Sequence, residues 1–306
     1  MDLALLGIFM FKEFAIIAPT ASGKTELSIS LAQKLDAIIL SLDSLSVYKY
    51  IDIASAKPTL KERSGIKHFG IDLVKPNKIF DVMLFINEYK KAKKYALKHN
   101  KNLILVGGTS FYLKALIDGI SKKENISKHT KKIIKQKLLN LEQSYKELYI
   151  LDKTYMQNIK PTDRYRIEKA WEIYIQNNIT PSEYFKLYKP KPIIENLTVF
   201  QIETPMDTLR SRIQTRTKKM LQNGLIDEVI LLEKKYQRYP NSMKSIGIKE
   251  TLEYLDGKIS KLLLQELISI HTGQLAKRQK TFNRSQFNNI IQGNLRNLEN
   301  IILTMI

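Results

Sequence analysis

Residues 14–35 read FAIIAPTASGKTELSISLAQKL: an apolar run, a short polar loop, then a segment with leucines near helical spacing. The loop, APTASGKT at 18–25, departs from the pattern G-x-x-x-x-G-K-[ST] only at Ala18. A strand that ends in such a loop and passes straight into a helix turns backbone N–H groups inward, and the helix start adds partial positive charge. Few folds place those parts in that order, so the stretch predicts a phosphate cradle in a parallel α/β sheet. The cradle runs through Ala18, Pro19, Thr20, Ala21, Ser22, Gly23, Lys24 and Thr25. Lys24 would reach the terminal phosphate, the Thr25 hydroxyl would ligate Mg²⁺, and Gly23 keeps the backbone approach free of a side chain. Ala18 does not break the pattern. A residue before proline is pushed to extended backbone, which alanine adopts without strain.

Four apolar runs read as buried strands: Phe14–Ala18, Ala37–Leu40, Leu103–Val106 and Leu197–Ile202. Helical patterns lie between them, over 24–35 and 80–100. From about 120 to 195 strand signals vanish and Lys-rich and Tyr-rich amphipathic stretches take over, such as HTKKIIKQKLLNLEQSYKELY. After the fourth strand, Met206–Lys235, Ile248–Leu255 and Leu262–Asn283 read as helices. The expected fold class is α/β: a P-loop parallel-sheet core (10–119 and 196–306) carrying a mostly helical insertion domain (120–195). Residues 1–9 read as an upstream extension, with Met10 as the initiator. MDLALLGIFMFKEFAIIAP lacks the basic start and cleavage pattern of a signal peptide, and it runs directly into a core strand.

The charge balance is unusual. Fifty Lys and Arg against thirty Asp and Glu leave a formal net charge of +20. Such a surplus favours a polyanionic partner, whose phosphates release counterions on binding. Lysine placed wherever a surface charge is wanted is the competing account, so location has to decide. The absence of cysteine excludes disulfides, thiol chemistry and Cys-based zinc sites, and agrees with a reducing cytoplasm. No apolar run reaches the ~18 residues of a membrane span.

Nucleotide-hydrolysing and kinase domains with this loop usually end a second strand in Asp. The best candidate strand here, LILVGGTS, ends in Gly107–Gly108–Thr109 instead. The Ala37–Leu40 strand delivers Asp43 just beyond its C-terminal end, beside the loop in a sheet of this kind. Asp43 reads either as a metal ligand or as a general base facing a second substrate. Ser44, Tyr48 and Lys57–Pro58 follow in a polar, non-helical stretch suited to substrate contact.

Together these segments resemble the tRNA dimethylallyltransferase family, the bacterial tRNA isopentenyl transferases. The resemblance is carried by PTASGKT (19–25), LDS (42–44), YKYIDIASAKP (48–58), VGGTSFYLKAL (106–116), PTDRYRIEKAWEIY (161–174), RIQTRTKKMLQNGLIDEV (212–229), SIGIKE (245–250) and QLAKRQKTF (274–282). It implies transfer of a dimethylallyl group from dimethylallyl diphosphate to N6 of the adenosine 3′ of the anticodon. The loop then holds a leaving diphosphate, which removes the need for a strand-end Asp because no γ-phosphoryl transfer occurs.

By that resemblance Asp43 takes the amine proton and Thr109 fixes the amine. Lys24, Ser22, Thr25 and Arg216 neutralise the departing diphosphate, with Mg²⁺ assisting. The resemblance also puts Asp43, Ser44, Leu45 and Ser46, then Tyr165, Arg166, Ile167, Glu168 and Lys169, against the tRNA anticodon arm. Lys277, Arg278, Lys280 and Arg284 join them near the C-terminus. The mixture of Arg164, Arg166 and Lys169 with Tyr165 and Trp171 suits stacking on splayed bases. The seven lysines in 122–137 read as a solvated helix face or a backbone-phosphate track. At 164–171 the chain departs from the family pattern, with Arg164–Tyr165 for Pro-Gln and Trp171 for Leu. A cytoplasmic monomer is expected. The rival readings are a small-molecule kinase, an adenylate-type isopentenyltransferase and a non-catalytic RNA-binding P-loop protein.

Overall fold

The computed structural model describes residues 10–121 and 126–306. The upstream extension at 1–9 and Lys122 and Lys123 of the lysine run lie outside the described residues. Contacts divide the chain into two units, one reaching Ile117 and resuming at Ile194–Ile306, the other Asp118–Ile193.

The first unit holds a six-stranded, wholly parallel sheet: β1 (Glu13–Ile17), β2 (Ala37–Leu42), β3 (His68–Phe69), β4 (Asn102–Gly107), β5 (Thr198–Ile202) and β6 (Ile290–Gly293), in the order β3-β2-β4-β1-β5-β6. β1 is central, and Phe14, Ala15, Ile16 and Ile17 are fully buried on both faces, as a doubly covered parallel strand requires. Helices α1 (Lys24–Lys34), α2 (Val82–Lys98) and α3 (Ser110–Asp118) provide the first crossovers. On one face Leu27 and Leu31 of α1 pack with Phe14, Ile16, Ile104 and Phe200. Elsewhere α2 and α3 meet where Phe85 stacks on Tyr112 at 4.5 Å.

The second unit is helical: α4 (Lys128–Lys137), α5 (Leu141–Leu151), α6 (Lys153–Met156), α7 (Arg164–Asn177) and α8 (Pro181–Leu187). Its core gathers Ile134, Leu148, Met156, Ile167 and Trp171. The buried Asp152 caps α6 and accepts from the Ser182 N–H and hydroxyl, both at 2.7 Å, which ties α8 to the bundle.

Back in the first unit come α9 (Met206–Gln222), α10 (Leu225–Tyr236), α11 (Ile248–Leu255), α12 (Lys261–Gln286) and α13 (Leu295–Met305). The sequence reading joined α9 and α10 into one helix. Gly224, at φ +95°, breaks them apart. The reading also missed β3, β6 and α13. Leu298 and Ile302 of α13 lie in the core beside α1, and β6 extends the sheet along β5. No helix among the described residues is long and apolar enough to cross a membrane.

Candidate active site

The loop leaves β1 at Ala18, whose N–H donates to Gly107 O at 3.2 Å. The left-handed positions of the loop are Ala21 (φ 63°) and Gly23 (φ 89°), and Ala18 is not among them. The loop can therefore turn without a glycine at its start. Gly23 caps α1 without a side-chain bond, so the first-turn N–H groups of α1 have no side-chain cap. Beside them opens a pocket of about 420 Å³, lined by Ala21–Glu26 with Arg212, Arg216 and Leu295. The Ser22 hydroxyl is buried in this loop with no protein partner. Lys24 Nζ is parked on Pro19 O at 3.3 Å. Desolvation, then the neighbouring Arg216, push Lys24 down to about 8, while Asp43 opposes them. Burial likewise lowers Arg216, again against Asp43.

Asp43 follows β2 and is held by its own turn. Its Oδ1 accepts from the N–H of Leu45 at 2.7 Å and of Ser46 at 3.0 Å. Thr109 stands opposite: its N–H donates to Leu42 O at 2.9 Å, and its Oγ1 accepts from the Ser44 N–H at 3.2 Å. The two glycines before Thr109 are there for space. A Cβ on Gly107 would lie 2.2 Å from Leu42 O, and one on Gly108 would lie 2.5 Å from Gln279 Nε2.

A second pocket, about 470 Å³, lies past Asp43, lined among others by Ser44, Leu45, Tyr48, Phe80, Tyr112 and Tyr239. Burial, then Tyr48, Asp43 and Asp81, raise the Tyr112 phenol. Asp43 therefore acts electrostatically on Lys24 and Arg216 at the first pocket and on Tyr112 at the second. The wall carrying Ser44–Tyr48 is pinned behind. Glu228 of α10 accepts from the N–H groups of Asp52, Ile53 and Ala54 at 2.8–3.0 Å. Buried Lys57 bridges Asp52, Asp72 and Tyr48 O.

The structure thus brings Ala21–Thr25 of the cradle together with Arg216 at one pocket and sets Asp43, Ser44 and Thr109 beside one another. Ala18, by contrast, is fully buried with its N–H spent on Gly107 O, and the Thr20 N–H is spent on Gln279 Oε1, so neither amide is open to a phosphate. The structure corrects several other expectations. Ser46 is buried, its hydroxyl 3.3 Å from Ser41 Oγ, and Ile167 is fully buried in the helical unit; neither side chain is open to a partner. Trp171 is no stacking platform. It is buried, donates to Ser144 Oγ at 2.7 Å and carries Lys137 over its ring at 4.0 Å. Lys280 Nζ is tied to Thr204 O at 3.2 Å, while Lys277, Arg278 and Arg284 face solvent. Tyr165 is exposed, Arg166 pairs with Asp163 at 2.7 Å and Lys169 with Glu172, and Glu168 is half-buried. Sequence reasoning missed Arg212, Gln279 and Leu295. Arg212 was recoverable, because it sits one helical turn before Arg216 on the same face of α9. Leu295 is distant in sequence and apolar, and offered no signal.

The family model for IPP transferase matches residues 46–286. The chain belongs to this family. It is 55% identical over 293 residues to a tRNA dimethylallyltransferase of Sulfurovum sp., covering 95% of this chain and 97% of that protein. It is likewise 55% identical over 292 residues to the enzyme of that name from Sulfurimonas denitrificans, at 95% and 98% coverage. Among solved structures, the tRNA delta(2)-isopentenylpyrophosphate transferase of Staphylococcus epidermidis matches with a TM-score of 0.66 and 31% identity, over 96% of this chain and 98% of that one. A eukaryotic dimethylallyltransferase acting on tRNA matches with a TM-score of 0.81 and 26% identity, over 93% of this chain and 74% of that one. The α/β core with its parallel sheet is the fold that the chain shares with these solved structures.

Proposed function

We propose that this chain transfers a dimethylallyl group from dimethylallyl diphosphate to N6 of the adenosine 3′ of the anticodon in tRNA, releasing pyrophosphate. The observation that carries the reading is the place of Asp43: it directly precedes Ser44 and Leu45, which line the aromatic pocket, and the Ser44 N–H is bonded to Thr109 across from it. The first pocket takes the diphosphate and the second receives the splayed base. N6 attacks C1, the N6–C1 bond forms as the C1–O bond breaks, and the amine proton passes to the Asp43 carboxylate. Oδ1 is already held by two N–H groups, so Oδ2 accepts it.

Lys24, Arg216 and the unpartnered Ser22 hydroxyl meet the charge that grows on the leaving diphosphate. The site suits Mg²⁺ held chiefly by the diphosphate. No group of three or more His, Cys, Asp or Glu side chains placed to hold a metal occurs among the described residues, and the Thr25 hydroxyl would supply a protein oxygen to the ion. Bound there, the ion would supply charge neutralisation of the leaving group. Tyr165, Arg166, Lys277, Arg278 and Arg284 would contact the anticodon arm. Extruding the base costs a few kcal/mol, which enclosure and phosphate contacts offset. In this reading the protein works as a monomer in the cytoplasm, where its tRNA substrate is found.

The test offers labelled dimethylallyl diphosphate and Mg²⁺ with unmodified tRNA, with AMP, or with ATP alone in place of the donor. Label is expected in tRNA only; label in AMP alone, or ATP turnover without transfer, overturns the reading. Asp43→Ala should abolish transfer while tRNA binding stays within about threefold, and a nearly active variant would remove Asp43 as the base.

A further inference from the structure

Gln279 lies in the stretch QLAKRQKTF, whose cations were expected to face tRNA, yet its own side chain points into the catalytic unit. Gln279 Oε1 accepts from the Thr20 N–H at 2.9 Å. Its Nε2 lies so close to Gly108 that a methyl there would come within 2.5 Å of it, and the same methyl would lie 3.3 Å from Ala18 O. The side chain therefore fills the space between the phosphate loop and the Gly107–Thr109 turn. Thr20 is gripped from a second helix as well, because its Oγ1 accepts from Arg216 Nη1 at 2.9 Å. The two helices that grip it, α9 and α12, pack together through Leu209, Ile213 and Ala276, with Ala21 of the loop against them. An N–H turned towards Gln279 cannot also turn towards a phosphate, so this bond selects which loop amides remain for the ligand.

Resting on the transfer reading above, we propose that Gln279 is a positioning residue for the reaction: it sets the phosphate loop against the turn carrying Thr109, and so holds the leaving diphosphate in register with the attacking amine. Transfer needs the reacting atoms within a few tenths of an ångström of the attack geometry, and a misplacement near 1 Å costs up to ~100-fold in rate. Gly108 is part of the device. Its φ is not in the left-handed region, so alanine is conformationally allowed there. The added methyl would meet the far end of a flexible side chain and push Gln279 aside without altering Gln279 itself.

The experiment compares the full-length protein with Gln279→Ala, Gln279→Glu and Gly108→Ala. It measures kcat, KM for donor and for tRNA, affinity for inorganic pyrophosphate with Mg²⁺, and melting temperature. Gln279→Ala should lower kcat at least ~10-fold and weaken pyrophosphate binding, with KM for tRNA within about twofold. Its melting temperature should stay within about 4 °C. Gln279→Glu keeps an acceptor for Thr20 and should recover part of kcat, but its added charge should raise KM for the donor. Gly108→Ala should reproduce the kcat loss of Gln279→Ala. The proposal falls if Gln279→Ala keeps kcat within twofold, if Gly108→Ala is fully active, or if activity is lost only in proportion to thermal stability. Wild-type protein that fails to label tRNA would sink the transfer reading instead. Pyrophosphate affinity would then still decide the role of Gln279, because it needs no turnover.

Discussion

Lys24 is the residue whose charge the site leaves most finely balanced. Desolvation and Arg216 bring it to about 8, so near that pH the free protein holds it only partly protonated. An anion in the cradle favours the ammonium and raises its pKa, so binding takes up a proton. Affinity should therefore fall as pH climbs from 7 to 9, while below 7 Lys24 is already charged and contributes no further dependence. Calorimetry of pyrophosphate binding at pH 8, in two buffers of different ionisation heat, measures the uptake. Wild type is expected to take up about half a proton more than Lys24→Met, and equal stoichiometries would show that the lysine does not titrate with ligand. At the same scale, Ala21 holds φ 63° with its methyl packed near Leu209 and Ile213, a left-handed alanine kept in place by the helices around it.

Between elements, β2 runs against β4 at Gly107 with no room for a side chain. A methyl there would meet backbone at 2.2 Å, the Leu42 carbonyl, which is held by the ladder and cannot yield. Gly107→Ala is expected to cost about 3 kcal/mol, read in urea as a lower midpoint at an unchanged slope. Gly108→Ala, whose methyl meets chiefly a flexible side chain, should stay close to wild type in the same measurement. Unfolding curves that rank the two the other way would refute the packing argument. This scale also separates what could be read from sequence from what could not. β1, β2, β4 and β5 were legible because strands buried on both faces are written as unbroken apolar runs. β3 is only two residues long and β6 is half-exposed, so neither leaves a pattern. The cradle and Asp43 were legible because their chemistry is local. Gln279 and Leu295 reach the site from α12 and α13 across more than 250 residues of sequence, and no spacing encodes that contact. Trp171 misled because an aromatic among cations reads alike whether it stacks on a base or fills a core.

For the molecule as a whole, the count of fifty Lys and Arg overstates the cations an RNA can meet, and the net charge of +20 is what remains once the carboxylates are subtracted. Many of its cations are already engaged: Lys57 with Asp52 and Asp72, Lys137 with Glu147, Lys146 with Glu142, and Arg238 with Glu233 and Asp256. Within the helical unit, Arg166 and Lys169 are also paired, with Asp163 and Glu172. On α12, by contrast, Lys277, Arg278 and Arg284 face solvent, and no carboxylate pairs with them among the described residues. Each unpaired cation that meets a phosphate releases a counterion and adds about 0.7–0.9 to the slope of log affinity against log salt. A cation already sharing its charge with a carboxylate has displaced less of that atmosphere and adds less. Filter binding of unmodified tRNA over a KCl series should therefore give a shallower slope for Arg278→Ala, by close to one such increment. Arg166→Ala should weaken binding yet change the slope by less than half as much. If the two variants change the slope equally, pairing in the free protein does not set the electrostatic footprint. If neither changes it, the basic face of α12 does not meet the RNA.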